Sequence, residues 1–144
     1  MKQLIVAVIV AGAAMVALSA YFAEASPTGS PQSTVSRQQA IAKVLALKRE
    51  ILVANRSAAK QLTALEFEAG IGQNHTTPAN FDPTRASWVV AVGGQIMPQY
   101  SHGKVFNYAI YIVDAQTGTI TGALAGNVGS WPPTFDSLLD HGAP

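Results

Sequence analysis

The stretch from Tyr108 to Gly122 (YAIYIVDAQTGTITG) constrains the fold more than any other part of this 144-residue chain. Apolar or aromatic residues, rich in β-branched types, run unbroken from Tyr108 to Val113 and stop at Asp114-Ala115-Gln116-Thr117-Gly118. The β-branched pattern resumes at Thr119. This predicts a β-hairpin with a four-residue connection built around a type I turn. Asp114 is placed to accept a hydrogen bond from the N–H of Gln116, closing an Asx-turn that the Thr117 hydroxyl assists. Gly118 then takes the left-handed conformation that returns the chain to the ladder, where a Cβ costs roughly 1–2 kcal/mol. Asp114, Thr117 and Gly118 are therefore expected to be structural turn residues, with no catalytic role.

Upstream, Ser36-x-x-Gln39 is a capping box flanked by the apolar staple positions Val35 and Ala40. Ile41, Val44, Leu45, Ile51 and Leu52 continue at helical spacing, predicting a helix from Arg37 to about Leu52. Lys48 alone interrupts its apolar face, and the lysine stem can lie along that face while the ammonium reaches water. From Arg56 to Ile71 the residues Ala58, Ala59, Leu62, Leu65 and Ala69 fit a helical period. Gln73 to Ala86 is polar, carries two prolines and reads as a loop. Ser87 to Val92 reads as a strand ended by Gly93-Gly94. In the strand that opens the hairpin, alternation puts Phe106, Tyr108, Ile110 and Ile112 on one face, expected to meet the helix. Asn107, Ala109, Tyr111 and Val113 take the other, and Tyr111 there is expected either in water or under the C-terminal tail.

Three pieces of the chain, in this order, resemble the PepSY domain family: Ser36-Arg37-Gln38-Gln39-Ala40 as its helix opening, Trp88-Val89-Val90 as a strand, and Asp114-Ala115-Gln116-Thr117-Gly118-Thr119-Ile120 as its closing hairpin. The similarity runs from Val35 to about Ala125. It implies an α+β fold with one main helix packed on a small antiparallel sheet (PepSY/cystatin-like), and the uncharged run near the N-terminus is expected to precede it as a hydrophobic helix. It also asks for a strand around Ser57 to Thr63 and a short helix over Leu65 to Ala69, and the strand is our expectation against the helical period of that segment. The family occurs in propeptides of thermolysin-type metallopeptidases and in small secreted or anchored proteins, where inhibition or folding assistance of peptidases is proposed. The resemblance thus implies a partner that is an extracellular peptidase or peptide, met in trans.

Leu4 to Ala23 is uncharged, comes after Lys2 and is ended by Glu24. About 20 apolar residues span a bilayer, and Ala23-Glu24-Ala25 also has the small-x-small form of a cleavage site. Residues 1–25 are therefore a signal anchor or a signal peptide, and either one puts the rest of the chain outside the cytoplasm. The length of the run favours the anchor. Residues 26–35 form a linker rich in proline and hydroxyl residues, 36–126 the folded domain, and 127–144 a tail carrying Trp131-Pro132-Pro133 and Phe135, which is expected to pack back on the domain, with an exposed ligand for a partner as the alternative.

A net charge of +1 carries no nucleic-acid footprint. The charge is unevenly placed, however: Arg37 to Lys60 holds six basic residues against Glu50 alone, and the chain from Asp114 onward holds three aspartates and no Lys or Arg. There is no cysteine, and His75, His102 and His141 lack metal-ligand spacing. No nucleophile elbow or phosphate-binding glycine loop is present, so no cofactor, metal or catalytic residue is expected. Glu66 and Glu68 read as solvated carboxylates. The chain is expected to be a non-enzymatic binding module, with Met97, Tyr100, Trp131 and Phe135 as partner-binding residues because the core needs them least. An exposed sheet edge that pairs with an extended peptide is a further physical route to the same end. The alternative is a structural envelope protein whose basic helix meets anionic polymer or lipid. The sequence specifies no oligomeric state.

Overall fold

The computed structural model describes residues 34–71, 82 and 84–142. The N-terminal anchor, all but the end of the linker, and most of the loop expected over Gln73 to Ala86 lie outside the described residues. Helix α1 (Arg37–Leu45) is followed by strand β1 (Ile51–Thr63), helix α2 (Ala64–Ile71) and strands β2 (Ala86–Ile96), β3 (Phe106–Asp114) and β4 (Ile120–Gly126). The strands form one antiparallel sheet in the order β1-β2-β3-β4, giving an α+β fold. Among the described residues no helix is long and apolar enough to cross a membrane.

The capping box starts α1. Ser36 Oγ accepts from the N–H of Gln39, and Gln39 Oε1 accepts from the N–H of Ser36 at 2.8 Å. A second box starts α2, with Thr63 Oγ1 accepting from the N–H of Glu66 and Glu66 Oε2 accepting from the N–H of Thr63 at 2.8 Å. Glu66 is thus a capping residue and is not the idle carboxylate its sequence neighbourhood suggests.

The first helix stops at Leu45, short of the expected Leu52, and Ile51 and Leu52 belong to β1. Their spacing suits a helix, but pairing Ile51 with Ile96 opens a thirteen-residue strand, and that ladder outweighs further turns of a short helix. The strand expected at Ser57 to Thr63 forms the second half of this element.

The face assignment of β3 is corrected. Ala109, Tyr111 and Val113 pack with Ala40 and Val44 of α1, together with Trp88, Val90 and Val92 of β2. Ile110 lies on the opposite face with Val89, Ala91, Leu62, Phe67 of α2, and Phe135 and Leu138 of the tail; Ile112 packs against the same group. Tyr111 is 1% exposed and sits under the helix side, neither in water nor under the tail. Alternation separates two faces but cannot say which one a helix takes when both are apolar. Each fully buried side chain of this size contributes roughly 1.5–3 kcal/mol, so both faces are needed for stability.

The closing turn is tightly made. Asp114 Oδ1 accepts from the N–H groups of Gln116 and Thr117, each at 2.8 Å, and Gly118 has φ +71°. Burial alone would raise the Asp114 pKa, but those two N–H groups and the Arg85 guanidinium, 2.9 Å away, together hold it below the usual range. Thr34 and Val35 donate their N–H groups to the carbonyl of Ala115, so the chain enters the domain beside this turn.

Candidate functional site

The four expected partner-binding residues divide between two places. Trp131 and Phe135 are bound into the fold by the tail. Phe135 is 1% exposed, and Trp131 meets its ring edge to face at 5.4 Å between centroids. The Arg56 guanidinium stacks 3.9 Å from the centroid of the Trp131 ring, and Asp136 Oδ1 accepts from both Trp131 Nε1 and Arg56 at 3.2 Å. At Gly93 the tail passes so close that a Cβ would lie 2.6 Å from the carbonyl oxygen of Ser130. The expectation that the core does not need Phe135 is therefore corrected. The tail's Trp131, Phe135, Leu138 and Leu139 announce that it packs on the domain, but a proline-rich segment shows no periodicity to say which face it covers.

Further along, the tail is fastened to β1 and α1. Lys60 Nζ donates to the carbonyls of Asp136 and Leu138 at 2.8 and 2.7 Å. Asp140 Oδ1 accepts from the N–H of Gln61, whose carbonyl accepts from the N–H of His141 at 2.7 Å. Arg37 reaches Asp140 at 3.0 Å and the carbonyl of Gly142 at 2.8 Å. His141 Nε2 lies 2.7 Å from Glu66 Oε1. The Glu66 pKa is lowered first by the backbone bond from Thr63, with His141 adding to it against the opposing effect of burial. The uneven charge of the sequence is thus partly an internal match. Arg37, Arg56 and Lys60 serve the tail, whereas Lys43, Lys48 and Arg49 stay exposed with no ion-pair partner among the described residues.

Met97 and Tyr100 lie at the other end of the sheet. The N–H of Met97 donates to the carbonyl of Glu50 at 2.6 Å, and Tyr111 donates its hydroxyl to Glu50 Oε2 at 3.1 Å. Burial, and then the Glu50 carboxylate, push the Tyr111 phenol well above its usual pKa, so it stays a protonated donor. Tyr100 is raised by the same two causes, but its side chain remains half exposed. His102, with φ 51°, and Gly103 turn the loop back toward β3.

The sheet has two edges of opposite character. Strand β1 is guarded by two register shifts, by Arg56 and Lys60, and by the tail bonds to both backbone groups of Gln61. Strand β4 reads Ile-Thr-Gly-Ala-Leu-Ala-Gly, with no charge, no proline and one register shift at its first residue. Among the described residues no group pairs with its outer edge. An open edge offers a row of backbone donors and acceptors to any extended segment. The sequence signal that singles out this edge is the absence of Lys, Glu and Pro from Ile120 to Gly126. No group of three His, Cys, Asp or Glu side chains that could hold a metal occurs among the described residues.

Compared with family models, with curated proteins and with solved structures, the chain matches none of them.

Proposed function

We propose that this chain is an extracytoplasmic, non-enzymatic binding module of PepSY/cystatin-like type that takes an extended peptide segment as a fifth strand along β4, and so modulates a peptidase in trans. The observation that supports this reading is the contrast between the guarded β1 edge and the unguarded β4 edge. Main-chain pairing supplies the affinity. Selectivity comes from alternate side chains of the guest, which fall beside the small, half-buried Ala123 and Ala125 on one face and Leu124 on the other.

The test is hydrogen exchange on the full chain with and without extended peptides drawn from secreted peptidases of the producing cell. Slowed exchange confined to Ile120–Gly126 is expected. Thr121→Lys, at an exposed position, should leave the thermal midpoint unchanged and weaken binding about tenfold or more. Failure of every peptide and every peptidase to bind, or binding indifferent to Thr121→Lys, rejects the proposal.

A further inference from the structure

Of the seven large apolar side chains exposed among the described residues, Leu52, Val53, Tyr100, Val105 and Val128 lie at one end of the sheet. The register places them there: Ile51 pairs with Ile96, Ile96 with Phe106, and Tyr108 with Gly126. Strands lie about 4.8 Å apart, so the four strand ends fall within about 15 Å. The bond from Met97 to Glu50 joins the turn at Lys48 to the loop that carries Tyr100, and Asn127 is clamped to Asn107 by two hydrogen bonds, which positions Val128.

The same end carries exposed Lys48, Arg49 and Lys104. None of the three has an ion-pair partner among the described residues, and Lys104 Nζ lies 5.3 Å from the Phe106 ring centroid. Glu50 is the one carboxylate in these loops, and it is engaged by the Tyr111 hydroxyl. By contrast, Arg37, Arg56 and Arg85 are all matched to aspartates. This end of the sheet therefore combines, among the described residues, unmatched cations with apolar side chains left in water.

We infer that this end is a docking surface for a bilayer carrying anionic headgroups. The apolar side chains enter the headgroup boundary while Lys48, Arg49 and Lys104 meet lipid phosphates. A soluble polyanion would satisfy the cations and leave Leu52, Val53, Val105 and Val128 in water, so the combination favours lipid. This surface is separate from the β4 edge, and its failure would leave the peptide-binding proposal standing.

Because the chain has no cysteine, Val105→Cys can carry a polarity-sensitive dye in the full-length protein, with Gln116→Cys at the opposite end as reference. The protein is held in phosphatidylcholine nanodiscs and given phosphatidylglycerol vesicles, and is also placed in discs that contain phosphatidylglycerol. The Val105 probe is expected to shift to the blue and to be quenched by lipid-borne quenchers in at least one anionic setting, with the Gln116 probe silent. Lys48→Glu with Arg49→Glu and Lys104→Glu should weaken that response by about a hundredfold. Leu52→Asp, at an exposed site, provides a second variant should the triple one unfold, and should weaken it too. No shift in either anionic setting, an equal shift with phosphatidylcholine alone, or the same shift from soluble polyphosphate or an acidic protein overturns the inference.

Discussion

The two faces of the sheet are covered in different ways. On one, α1 arrives with its own backbone hydrogen bonds made and needs only Ala40, Val44 and their partly buried neighbours to hold it. On the other, α2 is joined by a tail with little regular structure, whose backbone groups must find partners elsewhere. Lys60, Gln61 and Arg37 provide them. An irregular segment can thus close a core as tightly as a helix, provided that side chains of the sheet fasten it. The cover it forms depends on charge in a way that the helix does not.

The largest expected effect tests whether the tail is core. Phe135→Ala should cost roughly 3–5 kcal/mol, as for a fully buried aromatic, read as a shift of the urea midpoint. A midpoint unchanged by Phe135→Ala would mean that the second face does not need its cover. Next comes the turn that joins β3 to β4. Gly118→Val should cost roughly 1–3 kcal/mol for a β-branched residue held at positive φ, and Asp114→Ala about 1 kcal/mol for lost local bonds. Equal stability of Gly118→Val and the parent chain in a denaturant titration would rule that strain out.

Smaller still is the fastening. Lys60→Met should lower stability by about 1 kcal/mol and speed proteolysis of the tail, because two carbonyls lose their donor. Arg56→Ala should cost about 1 kcal/mol or less, because its ion pair with Asp136 is half exposed and screened by salt. The last effect is a slope. Glu66 and Asp114 both have folded pKa values below their unfolded ones, so their contributions are present above about pH 4 and are lost as pH falls through the lowered folded values. Glu66→Gln should flatten the acid limb of the stability profile by lowering the neutral plateau toward the acid value. An acid limb identical to that of the parent chain would show that Glu66 is not linked to folding.

How far the sequence can be read obeys the same division. The hairpin at Tyr108 to Gly122 and the opening of α1 are local chemistry, since Asp114, Gly118, Ser36 and Gln39 act on residues two to four positions away. Those features are legible. The side taken by Tyr111 is not, because Ile110 and Tyr111 are both apolar and only the path of a distant helix chooses between them. The end of α1 is hidden for a similar reason: Ile51 and Leu52 continue the helical spacing, and only Ile96, far along the chain, shows that they pair as strand. The Thr63-x-x-Glu66 box is present in the sequence, but Glu66 also reads as half of a solvated pair with Glu68, and spacing alone does not choose. The role of the tail is hidden most deeply. Its Asp140 answers Arg37, 103 positions away, and its Asp136 answers Arg56, 80 positions away.

The bond from His141 to Gln61 ties the far part of the tail to a strand made early. A chain cut short before the tail would leave Leu62, Val89, Ala91 and Ile110 without Phe135 and Leu138 above them. An incomplete chain would expose an apolar sheet face to every neighbour, and such species aggregate. Docking of the tail is the step that removes this exposed face. Nonsense truncations within the tail should consequently leave insoluble protein, with little that is merely inactive.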